Sequence, residues 1–222
     1  MVTEQTAREG RGADQLAHAG RSADRGASTR ATLLAAARDV FMEHGYAQAA
    51  ITDIVALAGA SVGSLYHHFA GKADLYLALY GELDDAREAR TRAAVRELRE
   101  SGTADPVRLL LAGARGYLDV CIEQRETGAM FTRGDGPPGF ELMWRRGVLD
   151  WVTRNTEFLA RSGAPLDEAA AIVMTGAVML AVTEVSLAAD DNRARQLADG
   201  VLAVLARLSS APAEPRDMPP RA

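Results

Sequence analysis

Apolar side chains recur at intervals of three and four residues along most of the chain, which is the spacing of one helical face. The first such face consists of Leu33, Leu34, Ala37, Val40 and Phe41. Gly45 follows it as a residue suited to a left-handed helix end, and Ser28 precedes it as a candidate N-cap. Stretches of alternating β-branched residues bounded by turns are missing from the sequence. The pattern predicts an all-α fold whose first helix covers residues 28–44.

Two short helices should follow in close succession. The earlier one has an apolar face of Ile51, Ile54, Val55 and Ala58 and ends at Gly59. Ser61 then caps a helix that turns Leu65 and Phe69 inward. A connection as short as residues 59–61 predicts a helix-turn-helix packed on the first helix. The second helix of such a unit can place its N-terminal residues in the major groove of DNA.

Longer helices are predicted for the rest of the chain. One runs from Lys72 through Gly81 into the charged run DDAREARTRAAVRELRE, which we interpret as a solvated face with neighbouring ion pairs. Another begins at Asp105-Pro106, and a loop is expected at TGAMFTRGDGPPGF, residues 127–140. Three more are expected at residues 138–161, 167–188 and 192–208. The apolar run at 169–189 contains Glu184, which favours a buried helix over a membrane span.

Composition and charge narrow the class of protein. With 48% hydrophobic and 25% charged residues in 222, the chain can bury a real core. Its net charge of -5 means that any contact with DNA has to be confined to a small area. Residues 1–27 are poor in large apolar side chains and residues 209–222 are rich in proline, so both ends are expected to be disordered. A single cysteine, Cys121, and no apolar secretory leader favour the cytoplasm.

The stretch SVGSLYHHFAGK, residues 61–72, carries the chemistry expected of a DNA-reading helix. Hydroxyl groups can bond to bases and phosphates, and Gly63 permits a close backbone approach. Lys72 lies at the start of the next helix, where an ammonium group and free N–H groups favour a phosphate. Adjacent helical side chains point about 100° apart, so His67 and His68 are not expected to face each other or to hold a metal.

The residues AGASVGSLYHHF at 58–69, followed by Lys72 and Leu75 and preceded by Gly45-Tyr46, resemble the AGVSxGxLYxHFxxKxxL pattern of the tetracycline-repressor (TetR) family of bacterial transcription regulators. The resemblance covers roughly residues 30–80. It implies a homodimer in which a domain at 28–80 binds a palindromic DNA operator. A larger helical domain at 81–208 would provide dimerisation and bind a small molecule that releases the DNA. A repressor is the expected role.

The same resemblance implies which residues contact DNA. They are Thr52, Ser61, Val62, Gly63, Ser64, Tyr66, His67 and Lys72, with Tyr46 a weaker candidate. Three departures from the family pattern matter. Ala49 and Ala50 leave the second helix without a hydroxyl cap, unless Gln48 or Thr52 partly replaces it. Val62 stands where a polar residue is common and would favour a thymine methyl group, and Val55 replaces a small alanine.

Positive charge is scarce around this helix. Residues 28–80 carry three basic side chains, Arg30, Arg38 and Lys72. Affinity would then depend on dimerisation, on hydroxyl and backbone contacts, and on the arginines of residues 1–27 if that arm reaches DNA rather than being dispensable.

Aromatic and sulfur-containing side chains concentrate after residue 110. Each is more often a core residue than a ligand contact, but together they could line a pocket for a small apolar or amphipathic ligand. The candidates are Tyr117, Cys121, Met130, Phe131, Phe140, Trp144, Trp151 and Met174. No nucleophile-base pair or metal set stands out, so neither catalysis nor a cofactor is expected. The alternative to a DNA-binding regulator is a ligand-binding helical protein with a vestigial DNA-binding module. Glu184 is either a polar group of the ligand pocket or a residue of the dimer interface.

Overall fold

A computed structural model describes residues 26–161 and 168–210 of the chain. Within those residues all regular secondary structure is helical, as the sequence predicts. The helices are α1 (26–48), α2 (Ile51–Ala58), α3 (Val62–His68), α4 (Lys72–Glu100), α5 (Pro106–Glu123), α6 (Arg125–Thr132), α7 (Phe140–Arg161), α8 (Glu168–Ser186) and α9 (Asp191–Ser210). The chain divides into two compact units between Leu79 and Tyr80.

The first unit is built on α1. All five apolar positions predicted to form its inner face are buried, and Leu33, Ala37 and Phe41 are fully so. Gly45 adopts the left-handed conformation with φ 73°, as expected, although one further turn carries the helix to residue 48. The chain is already helical at residue 26, so Ser28 lies inside α1 and the prediction that it caps the helix is wrong. Its carbonyl accepts a hydrogen bond from the Thr32 hydroxyl instead.

Aromatic rings at the start of α4 pack against rings of α1. Tyr76 is fully buried, and its ring centroid lies 5.5 Å from that of Phe41 and 5.2 Å from that of Tyr46. Ile54 of α2 and Leu65 of α3 are also fully buried in this unit. Edge-to-face ring pairs stabilise a fold beyond the free energy gained by apolar burial. They stabilise the packing of α4 on α1, in the unit that also contains the short helices α2 and α3.

The second unit has its core among α5, α8 and α9. Leu118, Cys121, Val185, Ala194 and Ala198 are fully buried there. By length and composition α8 could cross a membrane, with a mean hydropathy of 1.8. It nevertheless packs against α5, α6, α7 and α9, and eight of its side chains are buried by the protein itself. This packing is that of a core helix, as the sequence predicts.

Several predicted boundaries are wrong. The segment expected to be a loop at 127–140 begins with helix α6, and a loop remains at 133–139. Gly128 lies within α6 and is packed closely, since a Cβ there would come within 2.8 Å of the Ser186 hydroxyl oxygen. Helix α9 extends to Ser210, so the predicted tail starts too early, and the predicted arm overlaps α1 at residues 26–27. The remainder of that arm and of that tail lies outside the described residues.

Close packing of α5 on α4 gives a stability prediction. A Cβ on Gly116 would lie 2.8 Å from the Arg90 carbonyl oxygen, and backbone cannot move aside as a flexible side chain can. We expect Gly116→Ala to lower the free energy of unfolding by about 1–3 kcal/mol. Gly81→Ala on α4, where a Cβ meets nothing within 4 Å, should raise it by about 0.5–1 kcal/mol. Urea denaturation measures both, and a change of the same sign in the two variants would contradict this packing.

Candidate nucleic-acid interface and ligand cavities

The turn between α2 and α3 is set by two local signals. Gly59 ends α2 in the left-handed conformation with φ 60°, and the Ala60 amide donates a hydrogen bond of 2.9 Å to the Val55 carbonyl. Ser61 then caps α3, because its Oγ accepts a hydrogen bond of 3.1 Å from the Ser64 amide. The predicted helix-turn-helix is therefore present, with α3 as its second helix.

Helix α3 buries one face and exposes its leading edge. Leu65 is fully buried and Phe69 is 3% exposed. Val62 and Tyr66 are 44% and 55% exposed. Ser61, Gly63 and His67 are exposed as well, Ser64 is half-buried, and Thr52 of α2 is exposed. The polar groups expected to contact DNA are thus accessible on the supporting scaffold.

The two histidines are closer than expected. The ring centroids of His67 and His68 lie 5.0 Å apart in an edge-to-face arrangement, so the prediction that they do not face each other is wrong. Rotation about the side-chain bonds brings together two rings whose Cβ atoms diverge. His68 is half-buried and its ring lies 6.5 Å from that of Phe69, whereas His67 is exposed. The described residues nowhere place three His, Cys, Asp or Glu side chains around a common metal position.

Lys72 is bound within the first unit. Its Nζ donates hydrogen bonds to the carbonyls of Tyr46, Ala47 and Ala49 at 2.7, 3.2 and 3.0 Å. It also lies 4.5 Å from the centroid of the Tyr46 ring. An ammonium group has three N–H donors, and here each has a carbonyl partner. Lys72 thus connects the start of α4 to carbonyl groups at and just after the end of α1. Burial raises the pKa of the Tyr46 hydroxyl.

The missing cap of α2 is confirmed. Ala50 occupies the cap position and no side chain bonds to the free amides. Ala49 is 4% exposed, so a small apolar residue fits the packing there. Hydroxyl caps typically stabilise a helix by about 1 kcal/mol, and α2 lacks that contribution.

The positive charges near α3 are partly engaged by the protein. The Arg30 guanidinium lies 5.1 Å from the centroid of the Phe69 ring. Arg38 pairs with the neighbouring Asp39 at 3.5 Å. Arg30, Arg38 and Lys72, the three basic side chains that the sequence places near α3, therefore each have a contact within the protein.

Two cavities of about 520 Å³ each lie within the second unit, inside the range typical of small-molecule sites. Tyr80 and Trp144 line both. We name the first the acidic cavity, and it also contains Asp84, Glu88, Asp150, Tyr117 and Trp151. We name the second the arginine cavity, and it also contains Arg87, Phe131, Phe140, Glu141 and Arg145 with the loop at 134–139.

The predicted ligand residues divide between these cavities and the core. Tyr117, Trp144 and Trp151 line the acidic cavity, and Phe131, Phe140 and Trp144 line the arginine cavity. Cys121 and Met130 are buried in the packed interior. Met174 borders a void of about 10 Å³, which has room for one water molecule.

Sequence reasoning missed Arg87, which lies in the charged run interpreted as solvated. It is 4% exposed, so that interpretation is wrong at this position. The expected ion pairing does occur one turn later, between Arg92 and Glu88 at 2.8 Å. The available signal was spacing, because Arg87 continues the inward face of Tyr76, Tyr80 and Leu83 at intervals of three and four residues.

Burial governs the titration of the groups around Arg87. It raises the pKa of Tyr80 to about 12, with the nearby Asp84 carboxylate adding to the shift. Burial also raises the pKa values of Tyr117 and Cys121, against the opposing effect of the Arg87 charge, and raises that of Asp84. At neutral pH the two phenols and the thiol are therefore uncharged. Cys121 is then a packing residue and not a reactive thiolate.

Known proteins share this architecture. Residues 33–79 match the family described as bacterial regulatory proteins, tetR family. A solved TetR-family transcriptional regulator from Pectobacterium atrosepticum is 30% identical, with 87% of this chain and 98% of that one covered at a TM-score of 0.56. The chain belongs to the TetR family. The AcnR transcriptional repressor of Corynebacterium efficiens is 32% identical over 133 residues, 59% of this chain and 65% of AcnR. The structure of a complex of SmeT with triclosan, 24% identical with a TM-score of 0.59 over 87% of this chain and all of SmeT, shows the same fold.

The TetR family match falls on the helix-turn-helix and its supporting helices, whereas the cavities lie beyond it. The similarity to AcnR spans just under two thirds of the length of that repressor.

Proposed function

We propose that this TetR-family chain is a transcriptional repressor that binds double-stranded operator DNA through α3. The exposed leading edge of α3, held by the fully buried Leu65, carries this proposal. A helix presented in this way can enter the major groove with its N-terminal residues facing base edges. The repressor name of AcnR supports the direction of regulation.

The proposed contacts divide by chemistry. Ser61, Tyr66 and His67, together with Thr52 of α2, offer groups that hydrogen-bond to phosphates and position the protein. Val62 and Ser64 come close to base edges, where a valine methyl group favours thymine. Lys72 adds positive charge near the DNA, while its hydrogen bonds remain within the protein.

Exposed apolar side chains on α8 and α9 support a homodimer. Val173 and Leu180 of α8 are 59% and 65% exposed, and Leu187, which directly follows α8, is 58% exposed. They share one helical face with the exposed Glu184, which favours an interface position for that residue. Leu208 of α9 is 61% exposed. A two-fold pair of these helices would bury the patch and present two copies of α3 to a palindromic site.

A small ligand of the second unit would control DNA binding. The two cavities have the size and the aromatic walls of small-molecule sites. SmeT, which has the same fold, has been solved with triclosan. We propose an apolar or amphipathic ligand that releases the DNA. The chain would act in the cytoplasm without catalysing a reaction.

Operator binding tests the proposal. Wild-type protein should select a palindromic duplex from a pool of random sequences, and it should bind DNA upstream of its own gene. In a gel shift, unlabelled specific duplex should displace the protein from this DNA and random duplex should not. Tyr66→Phe should weaken binding to all sequences about tenfold, since a hydrogen bond to a charged group contributes about 1.5–3 kcal/mol. Ser64→Ala should instead change the preferred bases. Competition by random DNA as strong as by the selected duplex would favour the alternative, a ligand-binding protein with a vestigial DNA module.

A further inference from the structure

The arginine cavity contains a buried guanidinium whose hydrogen-bonding capacity the described residues use only in part. Arg87 is 4% exposed, and none of the ion pairs among those residues involves it. Its Nε has no hydrogen-bond partner among them. Its guanidinium lies 5.3 Å from the centroid of the Tyr117 ring, and the Cys121 thiol is in hydrogen-bond contact with it. Both of those groups are neutral at pH 7, and the Asp84 carboxylate, whose charge acts on Arg87 from the same helix, forms no ion pair with it among the described residues.

A second buried polar group, the hydroxyl of Ser186, lies near Arg87 at Gly128 of α6. The Ser186 hydroxyl is also buried without a hydrogen-bond partner among the described residues. A Cβ built on Gly128 would lie 2.8 Å from Ser186 Oγ and 3.7 Å from Arg87 Nη2. The absence of a side chain at Gly128 therefore lets the Ser186 hydroxyl and the Arg87 guanidinium approach the same point of the α6 backbone, which lines the cavity. Leaving a buried guanidinium N–H and a buried hydroxyl without hydrogen-bond partners is costly, and an anionic oxygen would satisfy both.

The remaining walls of the arginine cavity are aromatic. The Tyr80 ring centroid lies 5.3 Å from that of Phe131 and 5.2 Å from that of Phe140. Glu141 and Arg145 are exposed at this cavity and their charges offset each other, and Arg87 is the buried charged side chain that lines it. In the acidic cavity Asp84, Glu88 and Asp150 outnumber the arginines Arg92 and Arg154, which makes it the site where a cation would bind.

We infer that the arginine cavity binds an amphipathic carboxylate, with the acid group between Arg87 and Ser186 and an apolar or aromatic body against Tyr80, Phe131 and Phe140. This inference rests on the proposed ligand response and names the chemical class of its ligand. Bidentate pairing of a guanidinium with a carboxylate supplies the orientation, and the aromatic walls supply the affinity.

Three matched probes test this inference: biphenyl-4-carboxylate, biphenyl-4-carboxamide and biphenyl-4-ylmethylammonium. Binding to the full-length protein is measured at pH 7 by calorimetry and by quenching of tryptophan fluorescence. We expect the carboxylate to bind about tenfold or more tightly than the amide, and the ammonium probe to bind most weakly. In Arg87→Met the advantage of the carboxylate should disappear while the affinity for the amide is kept. Arg90→Met, which removes an exposed arginine of the same helix, should keep the wild-type preference.

Several results would overturn the inference. These are equal binding of acid and amide, tighter binding of the ammonium probe, no binding of any probe at 1 mM, or a carboxylate preference that survives Arg87→Met. Should Arg87→Met fail to fold, the wild-type series remains decisive, and Ser186→Ala should weaken the carboxylate severalfold more than the amide. Operator binding without any probe is measured in parallel. Specific DNA binding without carboxylate preference would refute this inference alone, and the reverse would refute the proposed repressor alone.

Discussion

Replacing Gly63 by glutamate is expected to abolish operator binding and leave the fold intact. Gly63 is exposed on the leading edge of α3, and a Cβ there would meet nothing closer than Ser61 Oγ at 3.8 Å. A carboxylate in the first turn is favourable for the helix itself because of the helix dipole. Against DNA the same group is repelled by phosphates and blocks the close approach of the backbone. We expect a loss of about 100-fold or more, which corresponds to about 2.7 kcal/mol.

Fluorescence anisotropy with the selected duplex measures the affinity, and thermal unfolding checks the fold. Ala89→Glu serves as the matched control, because it adds the same charge at an exposed position of α4 in the second unit. It should bind within about threefold of wild type, since an exposed charge away from DNA contributes little. Wild-type affinity in Gly63→Glu would show that α3 does not enter the groove.

The second large effect is expected for Lys72→Met, and it concerns stability. The substitution keeps an apolar stem but leaves the carbonyls of Tyr46, Ala47 and Ala49 without their ammonium donor. Charge-assisted hydrogen bonds contribute about 1.5–3 kcal/mol each, and partial exposure of Lys72 reduces the sum. We expect the free energy of unfolding of the first unit to fall by about 2–4 kcal/mol in urea denaturation.

Arg38→Met is the control for this experiment. Arg38 is exposed and pairs with its neighbour Asp39, so its loss should change stability by less than about 0.5 kcal/mol. The salt dependence of DNA binding separates the structural role of Lys72 from a phosphate contact. A Lys72→Met variant as stable as wild type would contradict the structural role, and a salt slope that falls by about one would show that Lys72 also acts on a phosphate.

Local signals were sufficient to predict the helix-turn-helix. A left-handed glycine at 59 and a capping serine at 61 set the turn locally, and the apolar Leu65 marks the face of α3 that packs inward. The missing cap of α2 was equally visible, because it depends on the identity of Ala50 alone. The exposed edge of α3 then follows from the position of its buried face.

Features that depend on distant contacts were not predicted. The internal hydrogen bonds of Lys72 could not be read from the sequence, because the carbonyls that accept them lie 23 to 26 residues earlier in the chain. The expected loop at 127–140 missed the end of α6, where Gly128 packs against Ser186 of another helix. Arg87 lies in a run of alternating charges, whose composition predicts an exposed side chain, whereas its helical spacing from Tyr76, Tyr80 and Leu83 predicts a buried one. The ligand site depends on such contacts, so the sequence predicted its aromatic walls but not its charge.

Cleavage of DNA from a reagent tethered to α3 tests most directly whether this helix reads the operator. Val62→Cys provides an accessible thiol for an iron chelate, while Cys121 is fully buried and should remain unlabelled. Leu142→Cys provides the control at a position that is 73% exposed in the second unit. We expect the chelate at residue 62 to cut the selected duplex at two symmetric places within its half-sites, and the chelate at residue 142 to leave those places uncut. Absence of cleavage from residue 62 in a complex that still binds the duplex would contradict the assignment of α3 as the DNA-reading helix.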